Sequence, residues 1–231
     1  MKTKYKYLCI LVFAFVFAGI PVLGQEKINQ FDENGQRTGI WKKFYNNKNI
    51  RYQGQFKAGK EIGTFKYYSA LTSVHPTIIK TFSKNSDSAV VSFFNTKGVL
   101  ESKGFMVGKN RVGLWQFFHE DGKNILSEEN YVNGMKNGVS KTYYKSGKIT
   151  EILHFKDNKL HGNVKRYGSN GVLLDDLTYE NGILNGPAKY YNIKGELIYY
   201  GNYLNDEKTG KWEYFENGKP IKADKQIQQR H

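Results

Sequence analysis

The chain has 231 residues, with 35 Lys and Arg against 21 Asp and Glu and a formal net charge of +14. Its single cysteine, Cys9, excludes a disulfide framework, a thiolate metal site and a cysteine nucleophile from the remainder of the chain. Stability therefore rests on packing alone.

Residues 1–24 read as a secretory signal peptide. Lys2, Lys4 and Lys6 form a basic start, Leu8 to Gly19 an apolar run, and Pro21 ends it, with Val22 and Gly24 at the −3 and −1 positions before Gln25. The run falls short of the ~20 residues a spanning helix needs; the alternative is an uncleaved N-terminal anchor. No cysteine stands at the cleavage point to carry a lipid. Cleavage removes three Lys and no acid, leaving 32 basic against 21 acidic residues, a net charge of +11. The expected address is the periplasm, the outer-membrane periphery or the medium.

Residues 25–221 read as one array of about eight units. Gly39, Gly63, Ser88, Gly113, Gly138, Gly162, Gly186 and Gly210 recur at steps of 24 or 25 residues, and such a period takes precedence over any local reading. With each taken as the residue that ends a first turn, an aromatic stands five positions on in every unit: Phe44, Tyr68, Phe93, Phe118, Tyr143, Tyr167, Tyr191 and Phe215. Two positions on, the series is Trp41, Phe65, Val90, Trp115, Ser140, Val164, Ala188 and Trp212, mostly apolar. A second turn closes at Gly98, Gly122, Gly147, Gly171, Gly195 and Gly218.

Each unit thus reads as two short strands joined by Gly and Asn turns, residues that tolerate the positive φ of tight reversals. The runs are short, rich in Tyr and Phe and cut by Gly, which argues against helix. The predicted fold is all-β: an elongated single-layer antiparallel sheet of tandem hairpins. An isolated hairpin is marginal in water, so stability has to accumulate from copy to copy, with the rings at +5 laid against one another. Positions +2 and +5 have opposite parity. Either a bulge lies between them or aromatics shield both faces of the sheet.

The stretch from Ala70 to Ser88 keeps the period, loses its turn glycines and is interrupted by Pro76, so it reads as a degenerate unit. Pro187 falls on the first residue of its predicted strand and Pro220 in the last strand, where it blunts the sheet edge. Residues 222–231 read as a polar tail.

His75, His119, His154, His161 and His231 show no metal-ligand spacing. Glu128-Glu129 and Asp175-Asp176 are strand neighbours that point to opposite faces, so neither pair forms an acid/base dyad. No catalytic residue, cofactor or metal is expected, and no small-molecule substrate. Three positions after the marker, Lys42, Lys66, Lys141, Lys165 and Lys189 recur, with Gln116 and Glu213 as exceptions. Ammonium groups on alternate strands stand ~9–10 Å apart, near the Debye length at ~0.1 M salt. The row is either a solvated face that resists aggregation or a ladder for an anionic lipid, glycan or acidic protein surface. Export argues against nucleic acid.

GLWQFFHEDGK (Gly113–Lys123), GKWEYFENGK (Gly210–Lys219) and GPAKYYNIKGEL (Gly186–Leu197) resemble the MORN repeat, most of all its bacterial variant, which includes the antitoxin-like YwqK type. The resemblance spans Phe31 to about Lys222. It implies a twisted sheet of stacked hairpins and association with proteins or membrane surfaces, and it brings no catalytic residue. The expectation is an exported, non-enzymatic scaffold that binds an unknown protein partner at the cell envelope. The alternatives are an antitoxin or immunity-type protein that neutralises a cognate toxin, and anionic membrane binding through the lysine row.

Overall fold

A computed structural model describes residues 27–84 and 86–222. The signal-peptide reading of residues 1–24 and the tail beyond Lys222 lie outside the described residues. Every regular element described is a strand. The first copies hold β1 (Gln30–Phe31), β2 (Arg37–Phe44), β3 (Ile50–Lys57), β4 (Lys60–Tyr68) and β5 (Pro76–Phe82). The middle holds β6 (Ser88–Phe94), β7 (Leu100–Val107), β8 (Asn110–Phe118), β9 (Ile125–Val132), β10 (Met135–Lys136), β11 (Gly138–Tyr143) and β12 (Ile149–Lys156). Then come β13 (Lys159–Leu160), β14 (Gly162–Tyr167), β15 (Leu173–Glu180), β16 (Ile183–Tyr191), β17 (Leu197–Leu204), β18 (Glu207–Glu216) and β19 (Lys219–Ile221).

Each strand pairs antiparallel with the next in one open sheet, the pairs β10/β11 and β13/β14 each serving as two halves of one rung. Two kinds of turn alternate. At one long edge, Ala58-Gly59, Asn133-Gly134, Asp157-Asn158, Asn181-Gly182 and Asn205-Asp206 hold positive φ at both residues, the two-residue reversal that matches strand twist. These turns interlock. The amides of Gly59, Gly134, Asn158, Gly182 and Asp206 donate to the carbonyls of Arg37, Arg111, Lys136, Leu160 and Leu184, each in the preceding copy. At the opposite edge the tips of Tyr45, His119 and Tyr144 reach the carbonyls of Tyr68, Tyr143 and Tyr167, one copy ahead.

The marker glycines are not turn residues. They lie at bulges inside the strands or, for Gly138 and Gly162, at the start of the second half of a split rung: Gly63, Thr64 and Phe65 of β4 stand opposite the single residue Gly54 of β3, and Gly113, Leu114 and Trp115 oppose Gly104. Gly113 has a φ of 64°, open to glycine and costly for a side chain. The bulge turns the +2 side chain flat onto the preceding strand. A Cβ placed at Gly104 would meet the Trp115 ring at 2.4 Å, and one at Gly201 the Trp212 ring at 2.3 Å. Pro187 likewise sits within β16 at such a bulge, rather than at the strand's start. There its missing N–H breaks no ladder bond.

The parity question resolves in favour of two covered faces. From +2 to +4 the register with the following strand is unbroken, and the shift near +5 places the extra residue on that partner strand. The +2 residues therefore share one face, which we call the ring face, and +5 residues the other. On the ring face Phe65, Val91, Trp115, Val164 and Ala188 are fully buried. Rings pack across strands at both ends, with Phe56–Phe65 at 5.1 Å edge to face and Tyr190–Tyr199 stacked at 4.4 Å. Between them lie the cluster of Trp115 with Phe93 and Phe117 and, nearer the C-terminal end, an aliphatic core around Val164, Leu177 and Ala188. Where +2 is Trp, a cation two positions before the marker lies over it: Arg37 on Trp41, Arg111 on Trp115, Lys208 on Trp212 at 4.2 Å. Beside Val164 and Ala188 that position is Leu160 or Leu184.

Two expectations are corrected. The unit placed at Ser88 starts one residue later: Val91, not Val90, is the buried +2 residue, and Phe94, not Phe93, stands just past the register shift. The slip comes from the connection between β4 and β5, where residues 69–75 number seven against five (45–49) between β2 and β3, so that Ala89 follows Gly63 by 26 residues. The degenerate unit nonetheless pairs without a break through β5 and β6. The +5 row is also not the cohesive element. Phe44 is 48% exposed, and among the described residues no ring pair joins two members of that row, because they stand two strands apart with another side chain between.

Candidate binding face

The face opposite the rings carries the lysines, and register places them in one line. From β2 to β18 the cross-strand partners run Lys42, Gln53, Lys66, Ile79, Ser92, Lys103, Gln116 and Glu128. They continue through Lys141, Ile152, Lys165, Asp176, Lys189, Tyr200 and Glu213. All five lysines expected from the period lie on this line. It stays straight because the register shifts of the hairpins fall to either side of it.

The line divides into two electrostatic halves. From Lys42 to Gln116 it contains no acid, and Lys103 joins Lys42 and Lys66 as a third cation. From Glu128 onward acids stand beside the lysines. Lys165 Nζ lies 3.8 Å from the Asp176 carboxylate, and Lys189 pairs with Asp176 in register. Lys141 is flanked by Glu128. The Glu128 carboxyl is held below its usual range first by the Gln116 carboxamide, then by the Tyr143 hydroxyl, with Lys141 adding attraction. Tyr143 in turn is pushed up to about 12 by burial and by the bond it donates to Glu128.

Residues of the +5 row support this line rather than one another. Tyr68 accepts a hydrogen bond from Gln53 Nε2 at 3.1 Å, Tyr143 donates to Glu128 at 2.8 Å, and Phe215 stacks on Tyr200 at 5.9 Å. Lys103 lies over Phe118 at 5.4 Å. Tyr167 and Tyr191 are half-buried beside Lys165 and Lys189.

Reading only the first strand of each unit misses Lys103, Glu128 and Asp176, which stand on the second. A scan fourteen or fifteen residues beyond the corrected markers Ala89, Gly113 and Gly162 finds all three. Exposed apolar side chains border the line: Val90, Phe105 and Leu114 are 41, 49 and 44% exposed. Between Lys42 and Lys66 lies a trough of about 410 Å³ lined by Ile40, Gln53, Gln55 and Thr64. No group of His, Asp and Glu among the described residues has metal-site geometry. Glu128 and Glu129 do face opposite ways, Glu128 toward Gln116 and Tyr143, Glu129 toward Tyr131 and Lys136.

No curated protein matches the chain. Residues 37–58, 111–133, 136–157 and 160–181 match the family described as the MORN repeat variant. Each match opens two residues before a bulge glycine and covers a strand pair, so in these four stretches the hairpin copies seen in the sheet are similar to the MORN repeat variant.

Proposed function

We propose that the chain is an exported, non-enzymatic scaffold whose lysine face docks a protein partner at the cell envelope. MORN repeats are in general protein- and membrane-binding modules, and scaffolds of this type are generally non-enzymatic. The observation that carries the reading is the single line of side chains crossing the sheet from Lys42 to Glu213, with exposed Val90, Phe105 and Leu114 beside it. Such a face offers length, repeated polar contact and apolar anchors, the composition of a protein-docking surface. The apolar run of residues 8–19 behind three lysines supports export.

The test is photo-crosslinking in the native host, with a photoreactive residue at Val90 or Leu114 of the full chain and, as control, at the exposed Ile193 in a turn. One discrete crosslinked envelope protein from the face positions, together with a mature N-terminus at Gln25, is the expected result. A cytosolic chain that retains Met1, or crosslinking equal at Ile193, overturns it. A cognate toxin as the crosslinked species would make the chain an antitoxin or immunity-type scaffold.

A further inference from the structure

We propose that the trough between Lys42 and Lys66, continued to Lys103, seats an extended acidic segment of a partner protein laid across the strands. This rests on the scaffold reading and narrows it to one half of the face and one chemistry. Only in the N-terminal half is the line free of carboxylates; the C-terminal lysines stand among Glu128 and Asp176. The nearest acid to the trio along its own strand is Glu101, two residues from Lys103, beyond the line. The cations therefore present a directional, uncompensated charge that a partner's carboxylates would neutralise.

Spacing sets the form of the ligand. Lys42 and Lys66 are two strand steps apart, ~9.6 Å at ~4.8 Å per step. Three residues of a polyproline-type chain at ~3.1 Å each span about the same distance. An extended segment with acids three residues apart thus places a carboxylate on Lys42 and on Lys66, while Lys103, three strand steps beyond Lys66 and so ~14 Å away, adds attraction for the segment's further end. The trough between them supplies the Gln53 and Gln55 carboxamides, which both donate and accept and so suit a peptide backbone; a phosphate headgroup offers acceptors alone. Ile40 and Thr64 give the segment a partly apolar wall.

The probe is a fluorescent peptide of four Glu-Pro-Pro repeats, titrated with the full mature chain at low salt by anisotropy. Binding is expected to weaken with added salt, to fall at least tenfold in K42E/K66E and at least threefold in the neutral K42Q/K66Q. It should change less than twofold in K141E/K165E, circular dichroism confirming the fold of each. Equal loss in both charge-reversed pairs, or no binding by the folded wild type, overturns the inference. So does binding of phosphatidylglycerol vesicles, but not of the peptide, that depends on Lys42 and Lys66. If envelope crosslinking at Val90 survives in K42E/K66E, the scaffold reading stands and only this site is refuted.

Discussion

At the scale of single residues, the chain is organised by the side chain two places after each bulge glycine. Trp115 is fully buried although the sheet is one layer thick, because its ring lies on Gly104 below, under Arg111 above, and beside Phe93 and Phe117. Its Nε1 donates to the Phe105 carbonyl at 2.9 Å. Trp115→Ala should cost ~3–5 kcal/mol in urea melts, as large-to-small core changes do. Gly104→Ala should be similarly damaging, since a Cβ at 2.4 Å leaves the indole no room. Tyr167→Ala, on the half-buried +5 row, should cost only ~1–2 kcal/mol. The Tyr143–Glu128 bond gives a second expectation. The folded state raises Tyr143 to about 12, so its stabilisation is complete below the unfolded value of 10.0 and is lost as pH rises through the folded one. Glu128 runs the other way: lowered by Gln116 and Tyr143, it stabilises above 4.5 and loses this as pH falls. The stability advantage of wild type over Tyr143→Phe should therefore hold between pH 7 and 9 and shrink towards pH 12.

At the scale of the element, the unit is a hairpin fixed by three devices: a reversal, a bulge and a capping contact with its neighbour. Asn158 combines the first and last, with φ at 67° and its Oδ1 accepting from the Lys136 amide at 2.7 Å. Asn158→Ala should cost ~1–2 kcal/mol, from the left-handed backbone and the lost bond together, seen as a lower urea midpoint with an unchanged m value. The period was legible because one glycine per copy must adopt positive φ, and a strict backbone requirement leaves a strict sequence mark. What the glycine does was less legible: a bulge and a turn make the same demand on φ, so Gly186 read as the end of a turn while it lies inside β16. The slip at Ser88 has the same origin, because Ala89 is the one marker position that is not glycine. The lysine line was half visible. First-strand residues sit at a constant offset from the marker, whereas Lys103, Glu128 and Asp176 are aligned with them only by cross-strand pairing, which no local pattern records.

At the scale of the molecule, three clusters rather than one core hold the sheet: around Trp41, Phe56 and Phe65, around Val91 and Trp115, and around Val164, Leu177 and Ala188. Between the last two the ring face is polar, where Tyr131 and Lys136 bind the Glu129 carboxylate and Ser140 takes the +2 position. Each copy thus touches only its neighbours, the condition under which stability is a sum of unit and interface terms. Removing a complete copy should then shorten the array without unfolding it. Deletion of Gly162 to Asn185, which joins His161 to Gly186, brings Ala188 opposite Leu153 in place of Val164 and keeps the bulge in phase. The shortened chain should retain the strand signature in circular dichroism, lose about an eighth of its m value, and melt slightly lower because Ala188 fills less space than Val164 did. It should also bind the acidic peptide as before, since Lys42, Lys66 and Lys103 lie on earlier strands. A chain that unfolds outright on this deletion would mean that the clusters depend on one another across the polar break, and the additive account of the sheet would fail.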